Sequence, residues 1–173
     1  ALGQISDIRA VPPLLQALKD GEDEVRSAAC LALAYFRDPS TFDEITNVLL
    51  DDPKIEVRQA AARGLGNTGH PAALPYLLEA LHDSYWWYER EYAADDLLSA
   101  IAKMGTHAVK PLIEALHDKE GTVRKFAAIL LGKLGDVRAI GLFSCVELVR
   151  DKQTREALVP YGGDAKGVMK GIL

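Results

Sequence analysis

The sequence predicts an all-α fold in which short antiparallel helix pairs stack into a solenoid. Three observations carry this prediction. The first is a formula that recurs along the chain. It is cleanest from Asp118 to Gly135: an Asp, four spacers, Val-Arg, a run of small apolar residues, then Leu-Gly-x-Leu-Gly. Asp20 to Arg37 repeats it with Val25-Arg26, Ala28-Ala29 and Ala32-Leu33, and Asp52 to Gly69 with Val57-Arg58, Ala60-Ala61-Ala62 and Gly64-Leu65-Gly66. The second is the period. Aligned on Leu2, Leu33, Leu65, Ile101 and Leu131, the intervals are 31, 32, 36 and 30 residues, the length of a helix pair and not of a coiled-coil heptad. The third is composition. Hydrophobic residues make up 49% of the chain but aromatics only 7%, so the apolar mass is Ala, Leu, Val and Ile, which suits packed helices better than a β-sandwich. One helix pair cannot bury both of its faces; stacked pairs can, and their core then runs the length of the array.

Each unit divides into a leading and a trailing helix. The leading helices read as Ala10–Lys19, Thr41–Leu50, Ala72–His82, Ala108–His117 and Val137–Arg150, each with apolar residues at helical spacing, such as Leu14, Leu15 and Leu18, or Leu77, Leu78 and Leu81. Pro12, Pro13, Pro71, Pro75 and Pro111 fall near their starts, where a missing N–H costs least, with Pro75 slightly deeper and placed to bend its helix. The trailing helices read as Glu22–Phe36, Ile55–Asn67, Trp86–Met104 and Thr122–Leu134, with an Ala-rich stripe that allows close approach and with Gly69, Gly105 and Gly135 placed as C-caps. The expected units are 1–5 (partial), 6–37, 38–69, 70–105, 106–135, 136–163 and 164–173 (partial), all in one domain. The last stretch is less regular: Asp151–Leu158 reads as a shortened trailing helix, Pro160–Gly163 is expected to break it, and Asp164–Leu173 resembles one more leading helix.

The bulk numbers exclude several classes. Net charge is −5, so a general basic footprint for nucleic acid is absent and a nucleic-acid partner is not expected. Cys30 and Cys145 are far apart with no Cys/His cluster around them; they read as small buried hydrophobes in a reducing compartment, and a cytoplasmic location is expected. No apolar run approaches the ~18 residues of a membrane span, and no leader pattern is present. The chain opens on Ala1-Leu2-Gly3-Gln4-Ile5, which matches the end of the formula, so it is expected to start inside a repeat of a longer array.

These pieces carry a resemblance. Arg9-Ala10-Val11-Pro12 and Ala73-Leu74-Pro75 in leading helices, with Asp…Val-Arg-x-x-Ala-Ala in trailing ones, resemble HEAT repeats, and specifically the short HEAT-like repeats named after phycobilisome lyases. The resemblance covers roughly residues 1–150. It implies a right-handed α-solenoid of about five HEAT-like helix pairs, with the trailing helices lining the concave face. The family spans many unrelated roles, so the resemblance carries fold further than function. Deoxyhypusine hydroxylase, a HEAT-repeat enzyme, holds two irons through His-Glu pairs. Here His70, His82, His107 and His117 are followed by Pro, Asp, Ala and Asp, so that activity is not implied.

The repeated charges are Asp20/Arg26, Asp52/Arg58, Asp83/Arg90 and Asp118/Arg124. They could form a row of acid–base sites or a structural ladder. The ladder is the stronger reading: an Asp near a helix start accepts backbone N–H bonds, and an Arg offers its planar fork to a carboxylate of the next unit. HEAT proteins use these positions in that way, as the resemblance implies here too. The third interval departs from the pattern. It is four residues longer than the one before, 36 against 32, about one helical turn. Near it lie Tyr85, Trp86, Trp87, Tyr88 and Tyr92, which include both tryptophans and three of the six tyrosines. Trp86 and Trp87 point about 100° apart on a helix, so part of the cluster is expected at the surface as an interface anchor. The competing readings are a gap filled by aromatics and a stacking platform for a base or a tetrapyrrole. Asp95 and Asp96 follow, mainly as a solvated face, with Asp96 nearer the Ala-rich stripe. His82 and His117 occupy equivalent positions just before a repeat Asp, as helix C-terminal caps. No GxSxG, P-loop or HExxH motif occurs, and no catalytic residue, cofactor or metal ligand is singled out.

The functional expectation is a non-enzymatic protein-binding scaffold. Its surface would be the outer positions of successive trailing helices: Ser27, Leu31 and Tyr35; Gln59, Arg63 and Asn67; Asp95, Ser99 and Lys103; Lys125, Ile129 and Lys133. The alternative is a bilin lyase subunit or phycobilisome-associated factor, supported by the resemblance and the aromatic cluster. A DNA-binding HEAT-like protein comes third, since Arg63, Lys103, Lys125 and Lys133 stand against Glu91, Asp95 and Asp96.

Overall fold

In the computed structural model, the residues described are 7–36, 39–83, 86 and 93–135. Eight α-helices run through them: α1 (Val11–Ala17), α2 (Asp23–Ala34), α3 (Pro39–Asp51), α4 (Ile55–Thr68), α5 (Leu74–Ala80), α6 (Ala93–Lys103), α7 (Thr106–Ala115) and α8 (Gly121–Leu134). No strand occurs among the described residues, and the fold is all-α with HEAT-like helix pairs. The chain divides into two compact units, Ala1–Met104 and Gly105–Leu173. In the first, α2 packs on α4 and α4 on α6, while the leading helices stack as α1 on α3 and α3 on α5. In the second, α7 packs against α8. The core of the first unit contains Leu33, Ile45, Leu49, Leu65, Leu77, Leu81, Leu97 and Ile101, all fully buried, and that of the second Leu112, Leu116, Leu130 and Leu131. The leading helix expected at Val137–Arg150 and the tail from Asp151 lie outside the described residues.

Two leading helices start later than the sequence predicts, for a shared reason. A 3-10 turn precedes each: Ile8–Ala10 before α1 and Pro71–Ala73 before α5. Asp7 caps the first of these by accepting the Arg9 N–H at 3.0 Å, and His70 Nδ1 caps the second by accepting the Ala72 N–H at 3.3 Å. Pro12 and Pro75 therefore sit in the first turn of the α-helix proper, and Pro75 is not deep in its helix. Pro111 has the same register but a different setting. At α7 the turn ahead of it is α-helical from Thr106, so Pro111 lies inside the helix and removes an interior N–H donor.

Gly69 and Gly135 cap α4 and α8 in the left-handed region, with φ of 62° and 64°, as the sequence predicts. Gly105 does not. It precedes α7 with φ 56° and ψ −131°, outside the left-handed helical well of a C-cap and still in a region that favours glycine.

Candidate partner-binding surface

The trailing helices owe their joints to the repeated Asp and Arg. Asp20, Asp52 and Asp118 each lie two residues before the N-cap residue of a trailing helix (Glu22, Lys54 and Glu120) and turn the chain into it. Their Oδ1 atoms accept the N–H groups of Glu22, Lys54 and Glu120 at 2.9, 2.9 and 2.8 Å. Arg26 of α2 reaches forward to the next unit, donating from Nε to Asp52 Oδ2 at 2.8 Å and from Nη2 to Asp52 Oδ1 at 3.2 Å. Its Nη1 reaches back to the carbonyls of Asp20 and Gly21 at 2.9 and 3.1 Å. Arg58 repeats the arrangement, donating from Nη1 to Asp83 Oδ2 and from Nε to the Asp52 carbonyl at 2.5 Å. Arg124 Nη1 donates to the carbonyls of Asp118 and Lys119 at 2.8 and 2.9 Å. Arg90 lies outside the described residues. Asp52 raises the pKa of Arg26 further, by hydrogen bonding first, so this guanidinium is a fixed charge and carries no proton chemistry.

With these charges engaged in joints, the outer rows of α4 and α6 present other polar side chains at the surface. On α4, Val57, Ala60, Ala61, Gly64 and Leu65 are buried, which leaves Arg63 and Asn67 exposed and Gln59 half-buried at four-residue spacing. On α6, Ala94, Leu97, Leu98, Ala100 and Ile101 are buried, which leaves Asp95, Ser99 and Lys103 exposed. The two rows are brought side by side by a close approach. A Cβ at Gly66 would lie 2.6 Å from Ala100 Cα, so only glycine lets α4 and α6 come this near. Across the gap Lys103 Nζ donates to Asn67 Oδ1 at 2.8 Å, and Arg63 Nε lies 3.9 Å from Asp96 Oδ1. Asp96 is half-buried at the base of this patch. Burial raises its pKa, Asp95 adds to the rise, and Arg63 and Lys103 oppose it.

The residues singled out from the sequence thus divide. Arg63, Asn67, Asp95 and Lys103 share one exposed patch. Trp86 does not belong to it: the residue is fully buried, which corrects the expectation that it is a partner-contacting anchor. Its backbone N–H donates to the Asp83 carbonyl at 3.3 Å, while its indole Nε1 has no acceptor among the described residues. Of the pair Trp86 and Trp87, Trp86 is thus an inward-facing side chain. Tyr85, Trp87, Tyr88 and Tyr92 lie outside the described residues. His82 and His117 are exposed, one residue past the C-cap positions Leu81 and Leu116.

Two features take their meaning only from the structure. Gly64, Gly66 and Gly69 spell G-x-G-x-x-G, which marks a dinucleotide loop when it follows a strand and opens a helix. Here it closes α4. Gly64 faces Ala34 and the Cys30 carbonyl, and Gly66 faces Ala100, so two of the glycines serve helix packing. The second feature is a pocket of about 480 Å³ whose lining includes Ala34, Thr41, Phe42, Ile45, Leu65, Thr68 and His70. Phe42 packs against the rings of His70 and Tyr76, with centroids 5.7 and 6.0 Å away. Only the contact between separate repeats brings these side chains together, and no local spacing announces it.

Reactive groups are scarce among the described residues. Cys30 is fully buried and its thiol is pushed up to about 12, mainly by burial, so it does not form a thiolate at neutral pH. Cys145 lies outside them. No group of three or more His, Cys, Asp or Glu side chains is gathered for a metal ion among these residues, and no helix there is long and apolar enough to cross a membrane.

The HEAT-repeat family model matches residues 11–97, half of the chain. The chain belongs to the HEAT-repeat family. The PBS lyase HEAT-like repeat model matches residues 1–20. Human deoxyhypusine hydroxylase is 34% identical over 165 residues, covering 80% of this chain and 53% of that protein. Epoxyqueuosine reductase of Bacillus subtilis is 38% identical over 61 residues, 35% of this chain and 16% of the reductase. This HEAT-repeat chain therefore spans about half the length of the human relative, and matches a small part of the bacterial one. Among solved structures, the complex of CpcE and CpcF of phycocyanin lyase from Nostoc sp. PCC7120 aligns with a TM-score of 0.56 at 23% identity, covering 91% of this chain and 66% of that one. At that identity the likeness shows a common fold.

Proposed function

We propose that this HEAT-repeat chain is a protein-binding module that works through the outer rows of its trailing helices and performs no chemistry of its own. The observation that supports this most is the division of labour among its charges. Arg26, Asp52, Arg58 and Asp83 are used up in joints, while Arg63, Asn67, Asp95 and Lys103 stand exposed in adjoining rows. Exposed charges in a row set register and partner choice more than raw affinity. The test is site-specific crosslinking from position 99, in the middle of the patch, in wild type and in an Arg63→Glu/Lys103→Glu variant. A partner captured by wild type and lost in the variant supports the reading. Capture that is unaffected by the double reversal, but lost on Glu79→Arg on the leading helix α5, would move the surface to the other side of the array.

A second reading is a lyase subunit that handles a bilin on a client protein. The match of residues 1–20 to the PBS lyase HEAT-like repeat and the shared fold with the CpcE–CpcF complex favour it. Its test is bilin absorbance. A bound, red-shifted chromophore supports the lyase reading, and none at saturating bilin removes it. The hydroxylase activity of the human relative is not proposed, because none of the four histidines is followed by glutamate.

A further inference from the structure

We infer that the cavity beside the first turns of α3 is a binding site for a small organic cation, an amine carried on an aromatic or alicyclic body. The leading helices themselves single out the place. Ala10-Val11-Pro12, Ala73-Leu74-Pro75 and Ala108-Val109-Lys110 stand at one spacing ahead of the core residues Leu14, Leu77 and Leu112. In α3 the same register, ahead of Ile45, reads Thr41-Phe42-Asp43. An alanine becomes a buried hydroxyl residue. A buried aliphatic side chain becomes a half-buried aromatic ring. A position held by Pro or Lys becomes an exposed carboxylate. All three of these residues line the cavity of about 480 Å³, and none of Arg63, Asn67, Asp95 and Lys103 does.

The chemistry of the lining selects the ligand. Pockets that hold a whole small molecule run from about 300 to 1,000 Å³, and this one falls within that range. Ile45 and Leu65 give it apolar walls. Phe42 gives it an aromatic wall, held from the side by the rings of His70 and Tyr76. His70 Nδ1 accepts the Ala72 N–H, so the His70 ring is neutral while it caps that turn. The Asp43 carbonyl accepts the Thr46 hydroxyl at 2.8 Å, whereas no donor or cation meets the Asp43 carboxylate among the described residues. Among the described residues of the lining, Asp43 is the one acid, and none is Lys or Arg. Apolar walls with one unengaged negative charge complement an apolar body with one positive charge. The Phe42 ring adds to the attraction, since an aromatic face draws a cation. An anion of the same shape would meet Asp43 and no compensating charge.

The test uses the full chain and probes that share one ring but differ in charge: tryptamine as the cation, skatole as the neutral form and indoleacetate as the anion. Amantadine is a second cation with an alicyclic body. Binding is followed by titration calorimetry, and the methyl signals of Ile45 and Leu65 in NMR spectra report where the probe sits. The expected result is that at least one amine binds with a Kd below about 1 mM and shifts both sets of methyl signals. Tryptamine should bind about fivefold more tightly than skatole, and indoleacetate more weakly than either. Asp43→Asn should weaken the amine about fivefold, leave skatole unchanged and, at an exposed position, keep Tm within about 1 °C. Phe42→Leu, which restores the residue type of Leu74 in this register, should weaken tryptamine and skatole alike. If neither amine binds below about 1 mM, if the Ile45 and Leu65 signals stay in place, or if Asp43→Asn leaves the amine's affinity unchanged, the inference is overturned.

Discussion

Two ion pairs at neighbouring levels of the array show how burial decides what a charge does. Arg26 and Asp52 are 11% and 6% exposed at the side chain and meet in a two-pronged bond. Arg63 and Asp96 are 48% and 30% exposed and lie 3.9 Å apart. The residue types are the same. The first pair sits in the seam between α2 and α4, where water does not readily reach. The second sits over the seam between α4 and α6, where it does. Arg58 and Asp83, at 12% and 39%, fall between them.

Breaking the buried pair should have the largest effect. Asp52→Ala leaves the Arg26 guanidinium in the seam without its carboxylate and also removes the acceptor of the Lys54 N–H, so about 3 kcal/mol of stability should be lost in urea unfolding. A loss under about 1 kcal/mol would place this pair with the surface ones. Arg58→Ala should cost less, about 1 kcal/mol, since Asp83 keeps contact with water, although the Asp52 carbonyl loses a donor. If Arg58→Ala proves as costly as Asp52→Ala, exposure is not what separates the joints. Arg63→Ala should change stability by no more than about 0.5 kcal/mol, while capture of a partner at position 99 falls. A variant that unfolds would return Arg63 to the structural set.

The smallest effect sharpens the comparison through pH. Burial holds the folded pKa of Asp96 above its unfolded value, so ionising it costs the folded state more than the unfolded one. Below the unfolded pKa both states are protonated and the cost is absent. As pH rises from there through the folded pKa, the cost is established and persists. Asp96→Asn should therefore match wild type in acid and be slightly more stable at neutral pH. Paired unfolding curves at the two pH values check this, and an Asn variant less stable at neutral pH would show that the Arg63 contact outweighs burial.

Much of the fold was legible in the residues. Leucines at helical spacing, glycines past helix ends and the Asp…Val-Arg formula act within one or two turns, so their meaning survives without a neighbour. Gly69 and Gly135 cap the helices that the spacing predicts. The exceptions have particular causes. Pro111 has the spacing of Pro12 and Pro75, but the turn ahead of it is α-helical where theirs is 3-10, and residue type alone does not separate these turns. The site was legible in part. Four-residue spacing placed Arg63 with Asn67 and Asp95 with Lys103, but not which helix face the neighbour covers.

By itself, the sequence determined the helix pairs, their period and the charges available at each joint, because these follow from local backbone preference and from a formula repeated in register. The tertiary structure alone decided that Trp86 is buried, that Gly66 is a contact with Ala100, and that one Arg–Asp pair is largely shielded while another faces water. Each of those depends on what lies across a seam between helices distant in the chain, and a side chain's own spacing carries no information about how much water remains on the far side.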